Sequence, residues 1–289
     1  MLTVEQLTKL YAENSGCQNV SLICKKGEIH GILGRNGSGK TTLFRCLLGL
    51  IMADRGHIKI ESAQERIRRF GYLPEERSVI ADIRVTEMID FFGSLKKMSR
   101  EEIAVEKRSW LKKLECETLE FKRLRECSKG NQQKIQLICA MIHQPDILIL
   151  DEPLTGLDVS NVKLFKKIIV EYARMEKAVL LSSHQYEEIE PICDYLTVLE
   201  KSNVIIQGKL SDIKRNHPIK TVSISEDAHM IYALQKGIID IRQEGNTTKY
   251  VCKSEADAYN IASLALKNRE GRTIKVESLT LKDMVGDQQ

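Results

Sequence analysis

The sequence predicts an α/β fold that carries inserted helices and ends in a small α+β, ferredoxin-like domain, on three observations. Short apolar runs such as Ile147 to Leu150 read as strands covered on both faces, the mark of a parallel sheet. A glycine-rich segment, Gly34-Arg35-Asn36-Gly37-Ser38-Gly39-Lys40-Thr41, joins another such run, Glu28 to Leu33, to a helical pattern from Thr42 to Leu50. Further on, Asn216-His217-Pro218 breaks the chain before a fresh series of strand and helix patterns.

In chain order, Val20 to Lys25 and His57 to Ile60 read as strands around the glycine-rich segment. From Val85 to Ile142 the pattern turns helical, with Met88, Ile89, Phe92 and Leu95 recurring at helix spacing as a core stripe. Strand patterns return at Ile147 to Leu150 and Ala178 to Ser182, with a helix from Val162 to Tyr172 between them. The first domain is therefore expected over residues 1–216, with a helical insertion at about 76–145, and the second over 217–289. The second domain reads strand (Ile219 to Ile224), helix (Ala228 to Gln235), strand (Ile238 to Arg242), strand (Thr247 to Cys252), helix (Ala256 to Leu266), strand (Thr273 to Val276). That is the order of a split βαβ unit. In its second helix Ala256, Tyr259, Ala262, Ser263 and Leu266 are expected to share the core face.

Composition excludes several classes. With 42% hydrophobic and 29% charged residues the chain is ordinary globular protein, and a net charge of +4 is too small a bias to argue for nucleic acid or anionic lipid. The apolar run Cys46 to Ala53 falls well short of the roughly 18 residues a membrane helix needs, and Met1 to Leu10 lacks a signal-peptide pattern. A cytosolic location is expected. The eight cysteines include no Cys-x-x-Cys pair and read as reduced structural thiols.

The glycine-rich segment fits the phosphate-binding pattern Gly-x-x-x-x-Gly-Lys-Ser/Thr without a mismatch. Glycines let consecutive backbone N–H groups curl round phosphate oxygens, Lys40 supplies a cation for the outer phosphates, and the Thr41 hydroxyl can ligate Mg²⁺. Gly34, Asn36, Gly37, Ser38, Gly39, Lys40, Thr41 and Thr42 are the candidate phosphate-binding positions, at a helix N-terminus whose dipole favours anions. The run Ile147 to Leu150 ends in Asp151-Glu152, two carboxylates at a sheet edge. Asp151 is the candidate Mg²⁺ ligand, and Glu152 the candidate base for water attacking the γ-phosphate.

Cys127-Ser128-Lys129-Gly130-Asn131-Gln132-Gln133, just ahead of Asp151-Glu152, resembles the signature segment of ATP-binding cassette (ABC) proteins. The usual form is Leu-Ser-Gly-Gly-Gln; Ser128 and Gly130 match it, while Cys127, Lys129 and Asn131 depart from it. The resemblance covers about residues 1–215 and implies a P-loop NTPase cassette that takes ATP and Mg²⁺. It implies a second ATP-binding subunit, in a homo- or heterodimer, whose nucleotide Ser128 and Gly130 would contact. It also implies a separate transmembrane permease holding the protein at the inner face of the cell membrane. Gly156-Leu157-Asp158 resembles the dimer-contacting loop, His184 the switch histidine that senses γ-phosphate, and Tyr11 the aromatic that stacks on adenine. Glu75 stands where the family commonly has a glutamine linking Mg²⁺ to the permease, with Glu76 the alternative if the alignment shifts by one. The Pro74-Glu75-Glu76-Arg77 and Ser128-to-Gln133 variants look most like bacterial exporter-type ATPase subunits. The rival reading is a soluble ABC ATPase with a non-transport role.

Overall fold

The computed structural model describes residues 1–13, 15–61, 68–76, 80–225, 232, 235–267 and 273–278. It divides into two compact units, Met1–Gly208 and Lys209–Gln289.

The first unit opens on two long strands, β1 (Leu2–Ala12) and β2 (Ser15–Cys24), paired antiparallel. Leu2, Val4 and Leu7 on one, with Val20, Leu22 and Cys24 on the other, form the buried face, while Tyr11 and Ile23 are exposed. The next strand, β3 (Ile29–Leu33), is buried at every position, as a strand covered on both faces must be. It leads through the glycine-rich segment into α1 (Lys40–Leu47). Then come β4 (Arg55–Ile60), antiparallel to β1, and β5 (Phe70–Leu73). The helical insertion follows as α2 (Val85–Leu95), α3 (Arg100–Lys113) and α4 (Lys129–Met141). Ser99 and Glu102 close a reciprocal capping box at the start of α3, and Ser128 caps α4. The chain returns to the sheet with β6 (Ile147–Leu150), α5 (Val159–Arg174), β7 (Ala178–Ser183), α6 (Tyr186–Ile189), β8 (Tyr195–Glu200) and β9 (Asn203–Lys209).

These strands lie in the order β4-β1-β2-β9-β8-β3-β7-β6-β5, and the run from β8 to β5 is parallel throughout. Parallel pairing brings the C-terminal ends of β3, β6 and β7 out at one edge. Ligands of open α/β sheets bind at such an edge. The phosphate loop, Asp151-Glu152 and His184 each follow one of these strand ends.

Local features depart from the expectations. Helix α1 begins at Lys40 itself and stops at Leu47, because Gly49 takes a left-handed φ of 70° and its N–H closes back on Cys46. In α2, Met88 and Ile89 are buried and Phe92 half-buried, but Leu95 is 51% exposed. The helix meets α3 at Gly93, where a Cβ would stand 2.6 Å from Ile103, and Leu95 in the last turn lies beyond that approach.

The second unit holds α7 (Leu210–Asn216), β10 (Lys220–Ser225), β11 (Ile238–Glu244), β12 (Thr247–Cys252), α8 (Glu255–Lys267) and β13 (Ile274–Ser278). Its sheet runs β11-β12-β10-β13 with every pair antiparallel, the strand arrangement of a split βαβ unit. The helix expected at Ala228 to Gln235 lies almost wholly outside the described residues. Helix α8 buries a different face from the one expected: Ala258, Ile261, Ala262 and Ala265 pack on Val222, Ile224, Tyr250 and Cys252. Tyr259 and Leu266 are 57% and 67% exposed. Three alanines flanking one isoleucine bring the helix close to the sheet, and Tyr259 keeps its hydroxyl in water.

Candidate active site

Beyond β3 the chain turns through Gly34, Gly37 and Gly39, with φ values of 155°, 80° and 109°. A Cβ at Gly39 would stand 1.9 Å from the Gly16 carbonyl oxygen, and one at Gly34 2.4 Å from the oxygen of Leu199. Both positions exclude any other residue by contact as well as by dihedral. The loop curls round its own lysine. Lys40 Nζ donates to the Gly34 carbonyl at 2.7 Å and to Arg35 at 3.3 Å, and it lies 3.2 Å from Glu152 Oε1. The ammonium thus donates to two loop carbonyls, and Glu152 Oε1 is its ion-pair partner without a hydrogen bond.

A cleft of about 310 Å³ opens beside the loop. Tyr11 lines it from the end of β1, Ser15 and Gly16 from β2, and Glu75 from the segment after β5. The loop and α1 contribute Asn36, Gly37, Gly39, Lys40, Thr41 and Thr42. Tyr11 is exposed, with Lys9 Nζ 5.7 Å from its ring centroid. Ser38 is buried beneath the loop, its hydroxyl without a hydrogen-bond partner among the described residues.

The two carboxylates at the end of β6 are held by residues the sequence reading did not single out. Ser182, at the end of the neighbouring strand β7, donates its hydroxyl to Asp151 Oδ1 at 2.5 Å and accepts the Glu152 backbone N–H at 2.9 Å. That second bond helps hold Glu152 in its left-handed conformation, φ 50°. Thr155 donates to Glu152 Oε2 at 3.1 Å, and His184 Nδ1 lies 2.9 Å from the same oxygen. Facing a carboxylate, Nδ1 carries the ring proton. A pair of serines, Ser182 and Ser183, ending an otherwise apolar strand was the available signal for Ser182.

Asp151 is almost fully buried, and burial raises its carboxyl above the usual range, partly offset by hydrogen bonds from Ser182 and Thr41. Its Oδ2 has no hydrogen-bond partner among the described residues. Glu75 is raised as well, by desolvation first and then by the like charges of Asp151 and Glu152. The orphaned Oδ2 beside the Thr41 hydroxyl, with Glu75 on the same cleft, is a set of hard oxygen donors that suits Mg²⁺. Among the described residues no cluster of three or more His, Cys, Asp or Glu side chains could hold a metal. Mg²⁺, which commonly keeps water and phosphate ligands, does not need one.

Ser128 and Gly130 do not line this cleft. Ser128 is exposed at the start of α4, accepting the Asn131 N–H, and a Cβ at Gly130 would meet Asn161 Nδ2 at 3.1 Å. Asn161 in turn is held by Asp158, the N-cap of α5. Gln133 Nε2 donates to the Pro153 carbonyl at 2.7 Å, tying α4 to the segment that carries Glu152.

The family profile for ABC transporters matches residues 17–155, from β2 through the phosphate loop to the loop after Glu152. An ABC transporter ATP-binding protein of Methanocaldococcus jannaschii is 43% identical over 214 residues, 74% of this chain and 79% of that one. The chain belongs to the ABC transporter ATP-binding proteins. It is thus an ABC ATPase, and its nucleotide is ATP. The ABC transporter ATP-binding protein YhaQ of Bacillus subtilis is 34% identical over 98% of this chain and 97% of its own, so the similarity spans both units of the cassette protein. Among solved structures, an ATP-binding subunit of an ABC transporter superposes with a TM-score of 0.68 at 26% identity, covering 74% of this chain and 92% of that one.

Proposed function

We propose that this ABC ATPase works as a dimer with a second ATP-binding subunit and drives a separate membrane-spanning permease of the exporter type. The observation that carries the catalytic part is the environment of Glu152. Its Oε2 is fixed by Thr155 and His184, its backbone by Ser182, and its Oε1 rests against Lys40. A carboxylate so fixed can take a proton from a water lined up on the γ-phosphate. His184, 34% exposed and donating to the base, would report on that phosphate through Glu152. Lys40 offsets the charge that grows on the transferred group. Mg²⁺, held through Thr41, Asp151 and Glu75, would neutralise phosphate charge. Tyr11 would stack on the base.

Two features support partners. Ser128 and Gly130 stand apart from the cleft of their own chain, on the exposed start of a helix whose N–H groups attract anions, so they suit the nucleotide of a second subunit. An apolar groove of about 700 Å³ runs between β5 and the helical insertion, lined by Phe70, Tyr72, Met88, Phe92 and His143. Pro74, next to Glu75, also lines it, so a permease segment seated there would press on the residue beside the cleft. No helix among the described residues is long and apolar enough to cross a membrane, which leaves that task to the permease. Affinity purification from detergent-solubilised membranes tests the reading. Recovery of a multi-spanning membrane protein with the chain is expected, and recovery of soluble partners alone would favour a non-transport role.

A further inference from the structure

The strand that carries Tyr11 changes its support just before the tyrosine. β4 pairs with β1 as far as Thr8, opposite Arg55, and the register of β1 on β2 shifts between Leu10 and Ala12. At such an irregularity strand pairing alone no longer fixes where a side chain points. Asp54, the residue before β4, takes over with its own groups. Its N–H donates to the Thr8 carbonyl at 2.7 Å, its Oδ1 accepts from Lys9 Nζ at 2.7 Å, and its Oδ2 accepts the Leu10 N–H at 2.9 Å. Three consecutive residues of β1 are thus tied to one.

Lys9 and Tyr11 lie two apart on the strand and so project to the same face. The Lys9 ammonium stands over the Tyr11 ring, 5.7 Å from its centroid, within the range of a cation–π contact. That leaves the opposite face of the exposed ring for a flat partner. Leu10 pairs in turn with Gly16, whose carbonyl oxygen abuts Gly39 of the phosphate loop. Tyr11, Gly16 and Gly39 line the nucleotide cleft, whereas Lys9 and Asp54 do not.

We propose that Asp54, with Lys9, is a positioning residue for the nucleobase: the pair holds the Tyr11 ring at a fixed place relative to the phosphate loop, so that base and triphosphate are bound together. The proposal rests on the reading of Tyr11 as the platform for the base. A nucleotide has a set span between base and phosphates, and a ring left free to move must be ordered at the expense of affinity. An exposed ion pair adds little to stability, so the effect belongs in nucleotide affinity rather than in the fold.

The experiment measures KM and kcat for ATP in the full chain with Mg²⁺, together with inhibition by inorganic tripolyphosphate, which has no base. Tyr11→Ala should raise KM about tenfold, the scale of losing one base–aromatic stack. Asp54→Ala should raise it about fivefold, because the ring stays but is no longer held, with kcat and tripolyphosphate inhibition within about twofold of the unaltered chain. Asp54→Asn should recover most of that loss, since its carbonyl oxygen can still accept the Leu10 N–H. Added to Tyr11→Ala, Asp54→Ala should change nothing further, because a residue that acts through the ring has no effect without it. A raised KM in Tyr11→Ala beside an unchanged one in Asp54→Ala would overturn the clamp and leave Tyr11 its role. An unchanged KM in Tyr11→Ala would remove the stacking reading, and the clamp with it. Weaker tripolyphosphate inhibition in Asp54→Ala, or a further rise in the double variant, would place the action of Asp54 on the phosphate loop or the fold and overturn the proposal too. Should Asp54→Ala not fold, Lys9→Gln, which takes the cation from both Asp54 and the ring, faces the same comparisons with an expected rise of about threefold.

Discussion

Lys40 and Glu152 stand 3.2 Å apart with side chains only 6% and 3% exposed, so the cation of the phosphate loop is paired with the carboxylate assigned as base. Taking both charges out of water is costly, and the pair holds because each partner has further hydrogen bonds. A γ-phosphate drawn to Lys40 would compete with Glu152 for that cation. On this geometry, seating the phosphate and freeing Glu152 Oε1 for water are one event, while Thr155 and His184 keep hold of Oε2.

Replacing Lys40 by alanine should therefore lower ATP turnover by about two to three orders of magnitude, the scale for losing a preorganised group that stabilises transition-state charge. Steady-state phosphate release measures it. Turnover close to that of the unaltered protein would sink the assignment.

Glu152→Gln should behave differently. The amide keeps the shape and can still accept from Thr155, but it cannot take the proton from water. Binding should persist, hydrolysis should slow, and a nucleotide-bound dimer should accumulate. Size-exclusion chromatography with ATP and Mg²⁺ reads this directly, and a variant that stays monomeric and fully active would count against both the base and the dimer.

The residues whose chemistry is set by type and spacing could be read from the chain: Lys40 and Thr41 follow from the glycine pattern, and Asp151-Glu152 from an apolar run that ends in two acids. Ser182 could not, because its partners lie 31 and 30 positions away and meet it only once β6 and β7 pair. The end of α1 was missed because Leu48, Leu50 and Ile51 continue the apolar pattern past Gly49, and the glycine's left-handed turn overrides it. For α8 two apolar stripes compete at helical spacing, and only the sheet it packs on selects the one through Ile261.

Ser182→Ala tests that missed position. It removes a donor to a buried carboxylate and the acceptor for a strained backbone N–H, so stability should fall by about 1–3 kcal/mol. Turnover should fall too, by about tenfold, as Glu152 loses its fixed position. Thermal melts and turnover measure the two effects. An unchanged rate in a variant with a lowered Tm would reduce Ser182 to a purely structural group.

His30 and His143 make the first unit acid-sensitive. Burial pushes both down to about 4, from a usual value of 6.5. His30 lies between Ile23 and Thr197, and His143 donates Nε2–H to the Phe70 carbonyl, so each folds as the neutral ring. The unfolded chain takes up protons below pH 6.5, whereas the folded one resists until about 4. Stability is thus present above that window and lost as pH falls through it, by about 3 kcal/mol per histidine at full loss. The raised carboxyls of Asp151 and Glu75 act in the opposite sense, being more stabilising when protonated and less so as pH rises. Melting curves between about pH 7.5 and 4.5 should show a falling Tm that flattens in His143→Gln. The same slope in that variant would remove His143 from the account.

Truncation separates the nucleotide site from the second unit. Among the described residues, those lining the cleft lie between Tyr11 and Glu75, and the candidate site residues Asp151, Glu152 and His184, with Ser182 beside them, are also ahead of Gly208. Helix α7 belongs with the second unit, where the buried Lys220 ammonium reaches the carbonyls of Lys214 and Arg215 in its last turn. A cut after Asn216 would keep α7 but strip the cation from its C-terminal carbonyls, leaving a helix with nothing to close it. A cut after Gly208 removes the helix with its partner and keeps all but the last residue of β9. The shorter chain should therefore be the better folded of the two. It should bind ATP within about twofold of the full chain, because it keeps all the described residues that line the cleft. Circular dichroism establishes the fold, and titration with a fluorescent ATP analogue gives the affinity. A soluble, folded chain ending at Gly208 that has lost ATP binding would show that the second unit supplies part of the nucleotide site.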